Sequence, residues 1–530
     1  MSGRARPDVL IVGAGPAGAV AAKRFVEAGL TVVCLEQGEW PDYARARAGF
    51  PDFELIARKE WNWNPNVRQA PGDYAIDDSE SDIAALMYNG VGGSAVSYAA
   101  HWERFLPSDF RVRTLDGVAD DWPITYAELE PYYVEVEKQF AVSGLDGDPA
   151  YPPGEGPPLP PVPLNQVGRL GARALNELGW HWWPGTNAIA TRDYGRLHAC
   201  VQRAACPFGC PTGAKASPDR THWPDLTAAG VELVTGATVL RITTGAGGLA
   251  DGVDWIDADG AEHHQDAGVV VVCANGIGTP RLLLASELAN SSGLVGRRLM
   301  MHPFGNAIGT FDDDLESWRG PLGQYLHSLE FYETDRSRGF VRGAKWNLMP
   351  SGAPLGQMLP GLQGGGELWG EAFTRRLRTQ FGRSAVWGVI CEDLPDVENR
   401  VTLGDPTGPG GMPGARITYR TSENTRKMMD FHMARLSEVL DAMGATSKQL
   451  NPTLRESGWH IMGTAVMGDD PATSVVDRFG RAHDVENLYV FDGSVFPTGS
   501  GVNPTATVAA NALRCAEALV AARRAQRVTA

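Results

Sequence analysis

A chain of 530 residues with 43% apolar side chains can bury more than a single hydrophobic core commonly serves, which predicts two domains. Its formal net charge of −16 argues against binding a phosphate backbone, which demands clustered positive charge, so nucleic acid is not an expected partner. No window approaches the roughly 18 uninterrupted apolar residues of a membrane span, and the short polar lead before residue 8 leaves no room for an apolar signal region. The expected location is cytoplasmic, with periplasmic export alongside a signal-bearing partner subunit as the alternative. Four of the seven cysteines sit in apolar or helical contexts and read as small hydrophobes, while Cys200, Cys206 and Cys210 cluster.

In chain order, residues 8–12 read as an apolar strand, Gly13 to Gly18 as a glycine turn, residues 19–28 as an apolar-faced helix and residues 31–35 as a second strand. Gly13-Ala14-Gly15-Pro16-Ala17-Gly18 matches G-x-G-x-x-G, a weak pattern alone. Here a strand precedes it, a helix follows, and Glu36 closes the next strand 23 residues after Gly13. Gly13 permits the tight turn, Gly15 lets the backbone approach a pyrophosphate, and Gly18 lets helix and strand pack closely. The helix start offers free N–H groups and partial positive charge to phosphates, and Glu36 can accept from both hydroxyls of an adenosine ribose. NAD and FAD both satisfy this motif; the acidic residue disfavours the 2′-phosphate of NADP.

Further along, the proline-rich residues 151–163 read as a linker or extended crossing. A strand at 269–273 with a helix at 280–286, and a strand at 487–491 with a helix at 505–522, look like returning pieces of the first layer. Between them, residues 302–453 show strand-like alternation at 385–392 and 400–403. The predicted fold is α/β: a discontinuous Rossmann-like dinucleotide domain with a second α+β substrate domain built on a mostly antiparallel sheet. We assign residues 1–45, 85–110, 190–300 and 455–530 to the first, and 46–84, 111–189 and 301–454 to the second. Trp61, Trp63, Trp182 and Trp183 read as core or interface residues, or as platforms for a sugar or aryl group.

Three further segments carry a family resemblance. Asn89-Gly90-Val91-Gly92-Gly93-Ser94, running on to Arg104-Phe105-Leu106-Pro107-Ser108-Asp109-Phe110, resembles the flavin-contacting loop of the glucose-methanol-choline (GMC) oxidoreductases. Gly276-Ile277-Gly278-Thr279-Pro280-Arg281-Leu282-Leu283 is similar to that family's second signature. Gly458-Trp459-His460-Ile461-Met462-Gly463-Thr464, through Asp492-Gly493-Ser494 to Gly501-Val502-Asn503-Pro504-Thr505, resembles its catalytic block. The matches span nearly the whole length in the expected order, although residues 302–450 carry no motif that transfers.

The resemblance implies a buried FAD and oxidation of an alcohol or sugar CH–OH group by hydride transfer to flavin N5. His460 then takes the base position and Asn503 hydrogen-bonds the same oxygen. A histidine near neutrality suits that task, and an amide orients the hydroxyl without competing for its proton. Cofactor contacts would come from Gly92, Gly93, Ser94 and Ser97, from Asp492 near the ribityl and pyrophosphate, and from Pro504 and Thr505 opening the last helix, whose positive end would face the flavin pyrimidine ring. Some relatives attach FAD through a histidine four residues after the double glycine; that place is Ser97 here, which implies non-covalent FAD. His101 and Trp102 lie further on and read as packing or a substrate-side contact.

Cys200-x5-Cys206-x3-Cys210 resembles the three-cysteine segment of flavin glucose dehydrogenases of this family that carry a [3Fe–4S] cluster. A metal-free cysteine loop is the other reading, and zinc with His198 as fourth ligand fits less well. A cluster would send electrons to a cytochrome or similar acceptor; without it, oxygen or a quinone is the oxidant. Competing functions are a lyase or photodecarboxylase on the same scaffold, a nicotinamide-dependent dehydrogenase, and a non-catalytic binding protein in which His460 and Asn503 are incidental.

Overall fold

The computed structural model describes residues 6–44, 59–352, 369–406 and 408–529. Parts of four expected domain segments (residues 1–5, 45–58, 353–368, 407 and 530) therefore lie outside the described residues.

Five short strands, Val9–Val12, Val32–Leu35, Glu232–Val234, Val270–Val272 and Leu488–Val490, form a parallel sheet. The register joins distant chain directly: Val270 pairs with Leu10 on one side and with Leu488 on the other. Runs such as Val-Leu-Ile-Val and Val-Val-Val are apolar at every position because helices cover both faces of a parallel sheet. The first helix, Pro16–Glu27, packs on the C-terminal helix, Thr505–Thr529, in a core rich in alanine (Ala17, Ala21, Ala512, Ala516), whose small side chains let the two backbones approach.

That first helix starts earlier than the sequence reading placed it. Gly15 is its N-cap and Pro16 opens it, where a missing N–H costs nothing. Gly18 consequently lies inside the helix, and a Cβ there would sit 2.1 Å from the Gly13 carbonyl oxygen. The helix expected at 280–286 likewise spans Asn275–Ala285, with Pro280 inside it. Proline cannot donate to the carbonyl four residues back; the Thr464 hydroxyl donates to that Gly276 oxygen at 2.9 Å instead.

A six-stranded antiparallel sheet runs in the order Ser447–Asn451, Phe304–Thr310, Ser384–Cys391, Ala344–Met349, Leu326–Ser328 and Trp183–Pro184. Helices Glu423–Met443 and Gln166–Leu178 pack with it through Met428, Met433, Leu436 and Leu175. Residues 400–403, expected in this sheet, belong elsewhere. Arg400–Pro406 pairs with Pro413–Tyr419, which pairs in parallel with Ile76–Ser81, and this small mixed sheet packs on helix Asn275–Ala285 through Val401, Ile417 and Ile277. Alternation marks a strand with one buried face and leaves its partner unspecified.

Candidate active site

At the carboxyl ends of the parallel strands, where α/β sheets open their crevices, a cavity of about 410 Å³ lies between that sheet and the antiparallel one. Glu36 lies in its lining together with Gly13 and Gly15, and so do Gly93, Ser94, Ser97, Asp492, Pro504 and Thr505. His460 and Asn503 line the same cavity. Gly18 and Gly92 do not. Gly18 is inside the helix as described, and Gly92 faces Asp219 while its N–H donates to the Ala14 carbonyl at 3.0 Å, tying the two glycine loops together.

The lining fits a dinucleotide. Glu36 is buried and accepts the N–H groups of Ala14 (2.8 Å) and Gly38 (3.0 Å); burial raises its carboxyl above the usual range against those donors. A Cβ on Gly93 would sit 2.8 Å from the Gly15 Cα, and Gly93 holds φ at +57°, so the two loops meet as closely as backbone allows and leave their edge free to cradle a pyrophosphate. Asp492 spends both oxygens on the protein, accepting from Ser494 N–H, Asn275 N–H and the Thr279 hydroxyl at 2.8, 3.0 and 2.6 Å. Its contribution is to pin two loops at the cavity wall. Ser97 offers only a hydroxyl, directed at the Ser94 carbonyl. Pro504 precedes the last helix, its carbonyl accepting from Val508 at 2.9 Å.

Around His460 and Asn503, hydrogen bonding fixes the tautomers. The Lys345 ammonium can only donate, and it donates to Asn503 Oδ1 at 2.6 Å. The amide nitrogen of Asn503 must then face His460 Nε2, 3.1 Å away, so that ring nitrogen carries the lone pair. His460 Nδ1–H donates to His302 Nδ1 at 3.0 Å, and His302 Nε2–H donates to the Gly499 carbonyl at 3.0 Å. Burial, followed by the neighbouring His302, Lys345 and His101, holds His460 well below the ordinary histidine range; burial, with Lys345 adding to it, takes His302 down to about 4. The ring is therefore neutral with its lone pair presented to the cavity.

Sequence reasoning missed several of these neighbours. His302 lies in the stretch without transferable motifs, and Glu103 falls between two quoted segments. Lys345 had one signal: a lysine is depleted in buried strands such as Ala344–Met349, whose only other polar residue is Asn347, and calls for a partner. His101, read as packing or a substrate-side contact, lines the cavity with Nδ1 3.3 Å from Asn503 Oδ1. Of the four tryptophans, Trp63 lines the cavity, meeting Trp459 edge-on (6.1 Å) and Phe208 (5.9 Å). Trp61 is buried against Tyr43 and Tyr88, and Trp182 and Trp183 donate to Asn176 and to the Leu145 carbonyl.

The three clustered cysteines stay close, and each sulfur has a hydrogen-bond neighbour in the protein. Cys200 accepts from Gln202 N–H and Cys206 from Leu322 N–H, both at 3.3 Å, and Cys210 lies 3.8 Å from the Thr212 hydroxyl. Burial and the other two thiols push Cys206 up to about 12. Among the described residues no group of three or more His, Cys, Asp or Glu side chains is gathered as a metal site, and His198 is exposed beside Asp193. The geometry thus gives neither the cluster nor zinc its support.

Comparison with known proteins gives three matches to family descriptions: FAD binding domain over residues 6–52, and GMC oxidoreductase over 160–304 and again over 395–512. The chain is 39% identical to the 2-methyl-1,2-propanediol dehydrogenase of Mycolicibacterium austroafricanum, covering 96% of this chain and 94% of that one. It is 30% identical to the fructose dehydrogenase large subunit of Gluconobacter japonicus, covering 97% of each. Pyridoxine 4-oxidase from Mesorbium loti shares the fold, with a TM-score of 0.65 at 19% identity over 96% of this chain and 98% of that one. On that coverage and identity, and with a nucleotide cradle opening onto one continuous cavity, the chain belongs to the GMC oxidoreductase family of FAD-dependent enzymes.

Proposed function

We propose that the protein oxidises the CH–OH group of a small alcohol, diol or sugar, with His460 as the base and Asn503 as its partner. The observation that carries this reading is the His460 Nε2 lone pair, 3.1 Å from the Asn503 amide nitrogen, on the wall of the cavity that Glu36 and the glycine loops also line. A hydroxyl bridging those two groups donates its proton to His460 and accepts from Asn503. When bound, FAD supplies the acceptor for the carbinol hydride at N5. As His460 gains the proton, its Nδ1–H bond to His302 becomes charge-assisted and strengthens. Trp63, Trp459, Phe208 and Phe304 give the cavity an apolar wall that keeps water from the reacting groups.

The substrate class follows the relatives named for 2-methyl-1,2-propanediol and for fructose. The second is named as a large subunit, which supports a partner subunit here. In this reading the segments 1–45, 85–110, 190–300 and 455–530 form the FAD domain, and the remainder the substrate side. The electron route divides on the cysteine loop. A [3Fe–4S] cluster on Cys200, Cys206 and Cys210 would lead to a cytochrome, and a metal-free loop to oxygen or a quinone; iron and acid-labile sulfide assay of anaerobically purified protein decides between them. The activity is tested by anaerobic mixing with 2-methyl-1,2-propanediol, fructose and a panel of alcohols. At least one bleaches the flavin absorbance, and His460→Ala lowers kcat/KM by about 10²- to 10⁴-fold. A panel that bleaches nothing, or a His460→Ala enzyme equal to wild type, refutes the reading; turnover without any flavin change points to a lyase.

A further inference from the structure

We propose that Lys345, charge-balanced by Glu103, is a positioning residue that acts through Asn503, orienting its carboxamide toward the reacting oxygen and strengthening that donor as negative charge develops there. The inference rests on the roles given above to His460 and Asn503.

The geometry is a closed polar cage. Lys345 sits on strand Ala344–Met349 in the interior of the antiparallel sheet, its side chain wholly buried. The strand is tied to the catalytic segment by its own backbone, since Lys345 N–H donates to the Gly501 carbonyl at 3.3 Å, two residues before Asn503. An ammonium has three protons. Its hydrogen-bond acceptors are Asn503 Oδ1 at 2.6 Å, Gln324 Oε1 at 3.2 Å and His101 Nδ1 at 3.2 Å, while Glu103 Oε2, 3.0 Å away, is its ion-pair partner. Gln324 is itself held, its amide nitrogen donating to Glu103 and to the Thr186 carbonyl.

A buried ion pair adds little stability over an apolar pair of similar volume, so stability does not explain why this one is aimed at Asn503. The amide does. Unheld, a carboxamide can turn over and set its oxygen against the His460 lone pair. Lys345 makes that orientation unfavourable by requiring an acceptor on its own side. Withdrawal of electron density through Oδ1 also makes the Nδ2 protons better donors, which matters only when the substrate oxygen carries charge.

The same ammonium discourages a proton on the resting base. Facing Lys345 are Glu103 and His101 from residues 101–103, Gln324, and the rings of His302 and His460; beyond Glu103 lies His327, paired with Asp148 at 3.0 Å. Burial opposes charge on both partners and leaves Lys345 below the ordinary lysine range although Glu103 pulls it up, while Lys345, with His101 and His327, brings Glu103 down to about 2, so each charge depends on the other.

The test uses purified holoenzyme. Lys345→Met combined with Glu103→Gln removes both charges together and leaves no unpaired buried carboxylate. That variant keeps stoichiometric FAD and a wild-type visible spectrum, while kcat/KM falls about 100-fold, the scale of a lost transition-state donor. Asn503→Ala then costs less than about threefold further, because the two act as one unit. The acid limb of the kcat/KM profile moves to higher pH as the nearer positive charge leaves His460. Should the neutral pair lose its flavin, Lys345→Arg carries the comparison: with the cation kept, its acid limb stays at the wild-type pH and Asn503→Ala is again non-additive. A neutral pair within threefold of wild type, fully additive losses, or an unmoved limb in the neutral pair each overturns the proposal while leaving a His460→Ala defect intact. A fully active His460→Ala would remove the underlying reading and this one with it.

Discussion

His302→Ala tests whether the tautomer chain from Gly499 to His460 has catalytic weight. In the resting enzyme the His460 Nδ1–H bond to His302 joins two neutral rings at 3.0 Å and contributes about 1 kcal/mol. If His460 takes the substrate proton as proposed, the same bond is charge-assisted, and such bonds contribute about 1.5–3 kcal/mol. Only the difference, roughly 0.5–2 kcal/mol, appears in the barrier, and loss of the tautomer lock adds a comparable penalty because His460 can then present Nε2–H to the cavity. Together, at roughly 1–4 kcal/mol, these predict a fall in kcat/KM of about 5- to 1,000-fold, mostly in kcat. Anaerobic stopped-flow reduction of the flavin isolates the step from reoxidation. His302→Gln, whose side-chain oxygen can accept from Nδ1–H, recovers part of the loss. A His302→Ala enzyme reduced at the wild-type rate would refute the tautomer reasoning.

Gly93→Ala places a methyl 2.8 Å from the Gly15 Cα at a φ of +57° and forces the flavin loop off the glycine turn; we expect the flavin-to-protein ratio of purified enzyme to fall severalfold, and an unchanged ratio would count against the cradle. A second prediction concerns Arg342, which is buried among Asp109, Asp116 and Glu392. Burial pushes Glu392 up to about 8 despite Arg342, from an ordinary value of 4.5, with Asp109 and Asp116 adding to the rise. Such an acid holds more protons folded than unfolded, so its stabilising contribution is complete below about 4.5 and is lost as pH rises through about 8. Melting temperature should decline across that window, and Glu392→Gln should flatten the decline; an equal slope in the variant contradicts the assignment.

The strands of the nucleotide layer were legible because buried parallel strands write themselves as unbroken apolar runs, as at Val9–Val12 and Val270–Val272. Helix starts were less so. Pro16 and Pro280 look like boundaries, yet one opens its helix and the other lies inside, where the Thr464 hydroxyl, 184 residues away in sequence, satisfies the carbonyl it leaves free. The strand at 400–403 was visible but its sheet was not, since Val401 could bury against any apolar surface. At the site, glycine spacing and the block around His460 and Asn503 were readable as local patterns. The groups that set their chemistry were not: His302, Glu103, Gln324 and Lys345 come from four separate stretches and meet only in three dimensions. A single buried charge in a strand is faintly visible in sequence; its partner is invisible.

Strand Val270–Val272 has as its two neighbours residues 9–12 and residues 488–490. During synthesis the ribosome must therefore deliver almost all of the chain before the sheet's last edge can dock and before the final helix can close over it. Contacts of such long sequence separation fold slowly. The nucleotide cleft is then among the last features to mature, and a nascent chain stalled short of residue 488 would expose an apolar strand edge to chaperones and proteases without any means of capturing FAD.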